Sequence, residues 1–256
     1  MTLRYSTALR NSILQHQPVR LAMSNSFLKV YTGSQPASAD AAPTGTLLCT
    51  YSSSAGTPTR ETLAVGTITL AGTSGSADTL TMNSLEIMGS STASDGTVAG
   101  TATLVAAKIN ANPKNVYVIA STTGGSGVIT LTAKPGLGSL PNTWVLAGTG
   151  TTITLTQTTA MTGGVTALNG LLWGVSAGGV LSKLSTQTWS GTALATGVAG
   201  WCRFEAAVTD AGALDSVAAV LRIDGAVGSE LSLSNTNFVI SVVQTIDSFS
   251  LTEPTV

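Results

Sequence analysis

The sequence predicts a mainly β protein: a jelly-roll-like β-sandwich host domain with a small α+β module inserted into it. Three observations lead there. Short alternating runs separated by Gly, Asn and Asp turn pairs recur in two cassettes, residues 19–65 and 167–251, the pattern of a sandwich or jelly roll. The segment between them is charge-poor and holds the one convincing internal helix. Three near-identical strand kernels surround that helix at unequal spacing, which rules against a solenoid array. The expected boundaries are 1–65 for an N-terminal helix and the first part of the sandwich, 66–166 for the insert, and 167–256 for the second part.

In chain order, Tyr5, Leu9 and Ile13 recur at i, i+4 and i+8, so residues 3–15 read as a short amphipathic helix that ends before Pro18. It either packs under its own sandwich or docks on a neighbouring subunit, which makes Tyr5, Leu9 and Ile13 interface candidates. Strands are expected at Phe27–Tyr31 and from Gly45 to Tyr51. In the insert, Val98, Ala102, Val105 and Ile109 form one apolar helical face, Asp95-Gly96-Thr97 offers N-capping oxygen, and Asn112-Pro113 stops the run. The kernels Gly66–Leu70, Gly127–Leu131 and Thr151–Leu155 are expected as strands, with Asp78–Ile87, Val116–Ser121 and Trp144–Leu146 adding pairs.

In the last cassette, Trp201–Glu205 alternates, with Trp201, Arg203 and Glu205 on one face and Cys202 and Phe204 on the other. Phe238–Val243 reads as a strand half-buried through Phe238, Ile240 and Val242. Further strands are expected at Ala219–Ile223, Glu230–Leu233 and Ile246–Leu251, separated by the turn pairs Asp224-Gly225, Gly228-Ser229 and Ser234-Asn235.

Charged residues make up 9% of the 256 and the formal net charge is −1, far below the roughly 25% charged content of an average globular chain. A neutral, hydroxyl-rich surface gives little electrostatic protection against association. Every charge from Gly96 to Ala199 is one of four scattered lysines, which is no basic stripe, so no direct nucleic-acid partner is expected. The N-terminal residues lack a signal-peptide core, and Leu171–Leu181 is too short and glycine-broken to span a bilayer, so no membrane partner is expected. Cys49 and Cys202 read as small buried hydrophobes rather than a disulfide framework.

Gly174-Val175-Ser176-Ala177-Gly178 matches a nucleophile-elbow pattern, but the only histidine, His16, precedes it and no long helix follows. His16 has no second His or Cys nearby to complete a zinc site. Asp210 with Asp215 and Asp224 with Glu230 are close in sequence, without the aromatic platforms of a sugar-hydrolysing cleft; Asp224 reads as a turn residue. Gly124–Gly127 and Gly148–Gly150 read as hairpin turns, lacking the Lys-Ser/Thr of a phosphate loop. Trp144, Trp173, Trp189 and Trp201 read as core or interface anchors, and Trp144 and Trp189 are the interface candidates among them. No catalytic residue, cofactor or metal is expected.

The residues also carry a family resemblance. Leu3–Asn11, Leu28–Ala37, Ala199–Phe204, Leu221–Gly225 and Ile246–Phe249 resemble small structural proteins of tailed bacteriophages. There a short N-terminal helix precedes a jelly-roll-like sandwich that coats the capsid as cement or decoration subunits or builds the neck. The resemblance covers about half the chain, and Thr101–Asn112 resembles the helix of small add-on modules in phage virion proteins. It implies a non-enzymatic virion protein, made in the host cytoplasm, whose partners are copies of itself and the major capsid protein or other virion proteins. A neck or tail component and a host-surface glycan-binding module are the alternatives.

Overall fold

The computed structural model describes residues 3–15, 17–229 and 231–252. The fold is mainly β, and every strand pairing between named strands is antiparallel. The chain divides into two compact units. Unit 1 takes the described residues of Met1–Leu14, Pro18–Glu61 and Ala167–Val256, and unit 2 takes those of Gln15–Gln17 and Thr62–Thr166.

Unit 1 begins with β1 (Arg4–Tyr5), α1 (Thr7–Leu14), α2 (Val19–Ala22), β2 (Phe27–Thr32) and β3 (Leu47–Ser53). Unit 2 holds β4 (Val65–Ala71), β5 (Ser76–Met82), β6 (Leu85–Glu86), β7 (Thr92–Ala93), α3 (Val98–Ala111), β8 (Val118–Thr122), β9 (Val128–Ala133), β10 (Leu146–Thr151) and β11 (Thr154–Thr162). The chain then returns to unit 1 for β12 (Val180–Ser182), β13 (Trp189–Thr192), β14 (Gly197–Glu205), β15 (Arg222–Ala226), β16 (Asn237–Phe238), β17 (Val243–Ile246) and β18 (Ser250–Thr252).

One eight-stranded sheet dominates unit 1, in the order β1-β15-β14-β2-β3-β13-β17, with β16 also paired to β14. Alternation along β2, β14 and β15 sends Leu28, Val30, Cys202, Phe204 and Ile223 into one apolar core. Helices α1 and α2 close that core through Ala8, Leu9, Ala22 and Met23, and the β12–β18 ribbon adds Leu181 and Leu251. At its centre Trp173, Trp189, Phe204 and Phe249 pack with ring centroids 5.0–6.1 Å apart. Helix α1 starts at Thr7 rather than Leu3, because Arg4 and Tyr5 pair with Asp224 and Ile223 instead. Ser6 Oγ then accepts the Leu9 N–H at 3.2 Å, satisfying one of the helix's free amides.

Unit 2 holds two four-stranded sheets, β11-β4-β9-β8 and one built on β10-β5-β6 with β7 beside β5. Helix α3 buries Ala102, Val105, Ala106 and Ile109 in the core of this unit. Its N-terminus is set by Thr97, whose hydroxyl accepts the Gly100 N–H at 3.0 Å.

Several local expectations need correction. Thr151–Leu155 is not one strand; it spans the turn from β10 to β11, where Thr152 adopts φ +60°. Gly148–Gly150 is no hairpin turn but lies within β10. A Cβ at Gly148 would come 2.5 Å from that of Leu155 and one at Gly150 2.5 Å from the Ile153 carbonyl, so close approach explains both glycines. Asp224-Gly225 is the middle of β15, not a turn. Phe238–Val243 is not a continuous strand, because Val239–Val242 turns with Ser241 at φ +68° before β17 begins. Gly124–Gly127 does lie in the β8–β9 hairpin turn.

Candidate functional site

A cluster of titratable side chains of unit 1 lies on the second face of the eight-stranded sheet. The alternation that sends Cys202 and Phe204 to the core sends Trp201, Arg203 and Glu205 the other way, alongside Lys29 and Tyr31 of β2 and Asp224 of β15. Arg203 and Asp224 form a doubly hydrogen-bonded pair, both contacts 2.7 Å, with no side-chain exposure. Glu205 accepts from Lys29 at 2.8 Å and Arg60 at 3.1 Å. Tyr31 stacks on Trp201 at 4.5 Å, and the Arg203 guanidinium lies 5.4 Å from the Trp201 ring.

Two loops cover this ionic face. Trp201 Nε1 donates to the Thr44 carbonyl at 3.1 Å, and Arg222 Nη1 donates to the carbonyls of Ala39, Asp40 and Ala41 at 3.3–3.4 Å. From the other loop, Asp210 pairs with Arg222 through two 2.6 Å bonds, and the Asp215 N–H donates to the Asp40 carbonyl at 2.8 Å. Arg4 reaches the Pro36 carbonyl from β1.

The environment tunes these groups. Burial alone would raise the Asp210 carboxyl, but the hydrogen bonds from Arg222 and from the Gly212 N–H outweigh it and hold the group below the usual value. Burial pushes Asp224 up against the opposing pull of Arg203, Arg222 and Arg4. Burial, reinforced by Glu205, takes Tyr31 up to about 12. Every buried carboxylate here is spent on a guanidinium or ammonium partner, so the layer fixes loops onto the sheet.

Asp210, Asp215 and Asp224 are each engaged in separate contacts. Asp210 serves Arg222, Asp215 accepts the N–H groups of Ala219 and Val220, and Asp224 is buried against Arg203. Glu230 and His16 lie outside the described residues. Gly174–Gly178 leads not to a helix but to a tight turn, with Ala177 bridged to Val180 and Gly178 and Gly179 at positive φ. Cys49 and Cys202 occupy one row of the sheet on either side of Val30. Two strand spacings, roughly 10 Å, are too far for a disulfide. Among the described residues no three His, Cys, Asp or Glu side chains are placed to hold a metal ion, and no helix is long and apolar enough to cross a membrane.

The five interface candidates point mostly inward. Leu9 and Trp189 are fully buried, and Tyr5 and Ile13 are half-buried against the same unit 1 core, so α1 packs under its own sheet. Trp144 is buried in unit 2, edge-on to Tyr117 at 5.4 Å. Six of the large apolar side chains that do face solvent lie together in two other segments of unit 1. Leu194 and Val198 flank the start of β14, and Val239, Ile240, Val242 and Val243 precede and open β17; all six are 46–60% exposed. The two segments are tied together by Ala193 N–H to Val242 O at 2.9 Å and Ser241 N–H to Ala193 O at 2.8 Å. No charged residue lies between Lys183 and Arg203 or between Leu231 and Ile246. That double absence of charge was the available sequence signal for this surface.

A groove of about 850 Å³ also opens on unit 1, lined by Ser182, Ser185, Ser229, Ser232, Lys183 and Asp247 among others. No protein-family model matches the chain, and no curated protein matches it.

Proposed function

We propose that the chain is a non-enzymatic structural protein of a tailed-phage virion, a capsid cement or decoration subunit with a jelly-roll-like host domain that stabilises the head lattice. The observation that carries this reading is the uncharged apolar rim formed by residues 194–198 and 239–243. A rim of that kind is stabilised by burial at a repeated contact, and large exposed apolar patches mark interaction surfaces. Two further points support it. The ion pairs on the second face of the unit 1 sheet tie strand to strand and loop to sheet, which suits a rigid building block, and the resemblance in the two host cassettes is to virion proteins. Such contacts commonly bury ~1,600 Å² or more in total. A neck or tail component would use the same rim in a closed ring. A glycan-binding reading draws on the serine-lined groove, whose hydroxyls match a polyhydroxylated ligand.

The test is electron cryomicroscopy of the particle that contains the chain. Hundreds of copies over the icosahedral shell support the cement role. A single ring at the portal vertex, or density on the tail alone, replaces it with the connector role.

A further inference from the structure

The eight-stranded sheet of unit 1 ends in two unlike edges. One edge, β1, is only two residues long and carries Arg4, whose guanidinium is tied to Pro36. Short, charged edges of that kind resist pairing with another chain. The other edge, β17, has no charge and, among the described residues, no strand on its outer side. Its register with β13 fixes which groups are open. The Ala193 N–H donates to Val242 O, in the same register as the Thr192–Val243 and Gly191–Gln244 partners. Antiparallel alternation then turns the backbone groups of Gln244 and Ile246 toward β13 and those of Val243 and Thr245 outward.

We infer that β17 pairs antiparallel with β17 of a second copy of this chain, joining the two sheets across a two-fold axis at Gln244. A row of outward N–H and C=O groups, otherwise left to water, is a ready template for another strand. An antiparallel edge is complementary to itself, so Val243 of one copy pairs with Thr245 of the other and the reverse. A partner with a charged edge would find no counter-charge between Leu231 and Ile246, whereas an identical copy brings the same neutral strand. The flanking rim extends the contact. Its six exposed side chains present on the order of 500 Å² of apolar surface, at the upper end of what a monomer leaves open and most of the roughly 800 Å² each partner gives a standard interface. The inference deepens the assembly reading above by naming the partner, yet it does not depend on where in a particle the chain sits.

The experiment is sedimentation of the 256-residue chain, with Val243→Pro and Gln244→Cys variants. Proline at residue 243 removes an outward N–H and leaves the bonds to β13 in place. The expected result is a species of about twice the 25.6 kDa chain mass that Val243→Pro converts to monomer, with self-affinity lowered at least tenfold and tryptophan emission unchanged. At the axis, Gln244 and its copy form a non-hydrogen-bonded pair with the close Cα separation a disulfide accepts. Gln244→Cys is therefore expected to cross-link two chains on mild oxidation, the native thiols being buried. A monomeric wild-type protein, or an oligomer that neither variant affects, overturns the inference. If Val243→Pro fails to fold, the Gln244→Cys cross-link alone decides. A monomer in solution that coats a capsid sinks this pairing and leaves the virion role standing; a β17-paired dimer absent from every particle does the reverse.

Discussion

Arg203 and Asp224 meet across β14 and β15 as a fully buried pair, Nε to Oδ1 and Nη2 to Oδ2 both at 2.7 Å. The remaining guanidinium nitrogen, Nη1, has no hydrogen-bond partner. Removing one member strands the other charge in the protein, which costs about 3–5 kcal/mol, whereas replacing both with apolar residues of similar volume is close to neutral. Asp224→Ala is thus expected to destabilise unit 1 by about that amount, and Arg203→Met with Asp224→Leu to recover most of it. A double-mutant cycle from urea denaturation checks this. Additive losses would show that the two residues contribute separately.

The Asp210–Arg222 pair makes the loop cover pH-sensitive. The Asp210 carboxyl is held below its ordinary value of 3.8 in the folded state. The stabilisation is therefore fully present above pH 3.8 and is lost as pH falls through the lower folded value. Thermal melting followed down from pH 5 should show this loss, and Asp210→Asn should lower the plateau while flattening the acid limb. An equally steep acid limb in the variant would assign the loss to other carboxylates.

Cys49 is buried, and burial raises its thiol to about 12 from 9.0. Because the thiolate is the reactive form, both buried thiols, Cys49 and Cys202, should resist a thiol reagent in the native protein and react together on unfolding. With the folded value above the unfolded one, the Cys49 contribution to stability is complete below pH 9 and is lost as pH rises toward 12. Titration with a chromogenic disulfide reagent, with and without denaturant, reads the first point. Fast reaction of either thiol in the native state would place that cysteine at the surface.

The local grammar of the chain was legible where period and stop signals agree. Val98, Ala102, Val105 and Ile109 with Asp95-Gly96-Thr97 and Asn112-Pro113 anticipate α3, and the alternation of Trp201–Glu205 anticipates both faces of β14. The reading failed where a tertiary contact overrides a local preference. Asp224-Gly225 favours a turn, but Arg203 and Arg4 lie opposite Asp224 and hold it in a strand. Phe238, Ile240 and Val242 would share one face of a strand, yet the chain breaks at Ser241 because residue 241 bonds back to Ala193 and only Phe238 reaches the core. The rim was hidden for the same reason: exposure of Ile240 and Val242 follows from that break, not from their hydrophobicity.

Glycine positions separate packing from backbone freedom. Gly200 sits at the register shift of β14, and a Cβ there would lie 1.9 Å from the Gly33 carbonyl oxygen. Gly200→Ala must displace backbone and is expected to cost about 1–3 kcal/mol. Gly124 has nothing within 4 Å of such an atom and is not at positive φ. Gly124→Ala is expected to be neutral or to stabilise by about 0.4–1 kcal/mol through the unfolded chain. Paired denaturation curves test the contrast, and equal effects at both sites would contradict the β14 geometry.

The cap of α3 offers a readout confined to unit 2. Thr97 Oγ1 accepts the Gly100 N–H at 3.0 Å, while Asp95 Oδ1 in turn accepts the Thr97 N–H at 2.9 Å. The carboxyl of Asp95 is lowered chiefly by that backbone bond, so the two side chains act in sequence: Asp95 sets the entry of the chain and Thr97 satisfies the first turn. Thr97→Ala should cost about 1 kcal/mol, and Thr97→Ser much less, since a serine hydroxyl caps as well. Hydrogen exchange separates the units. The α3 amides should lose protection in Thr97→Ala while the β14 and β15 amides of unit 1 keep theirs, because α3 buries its apolar face entirely within the unit 2 core. Equal loss in both would mean that the two units unfold as one cooperative body.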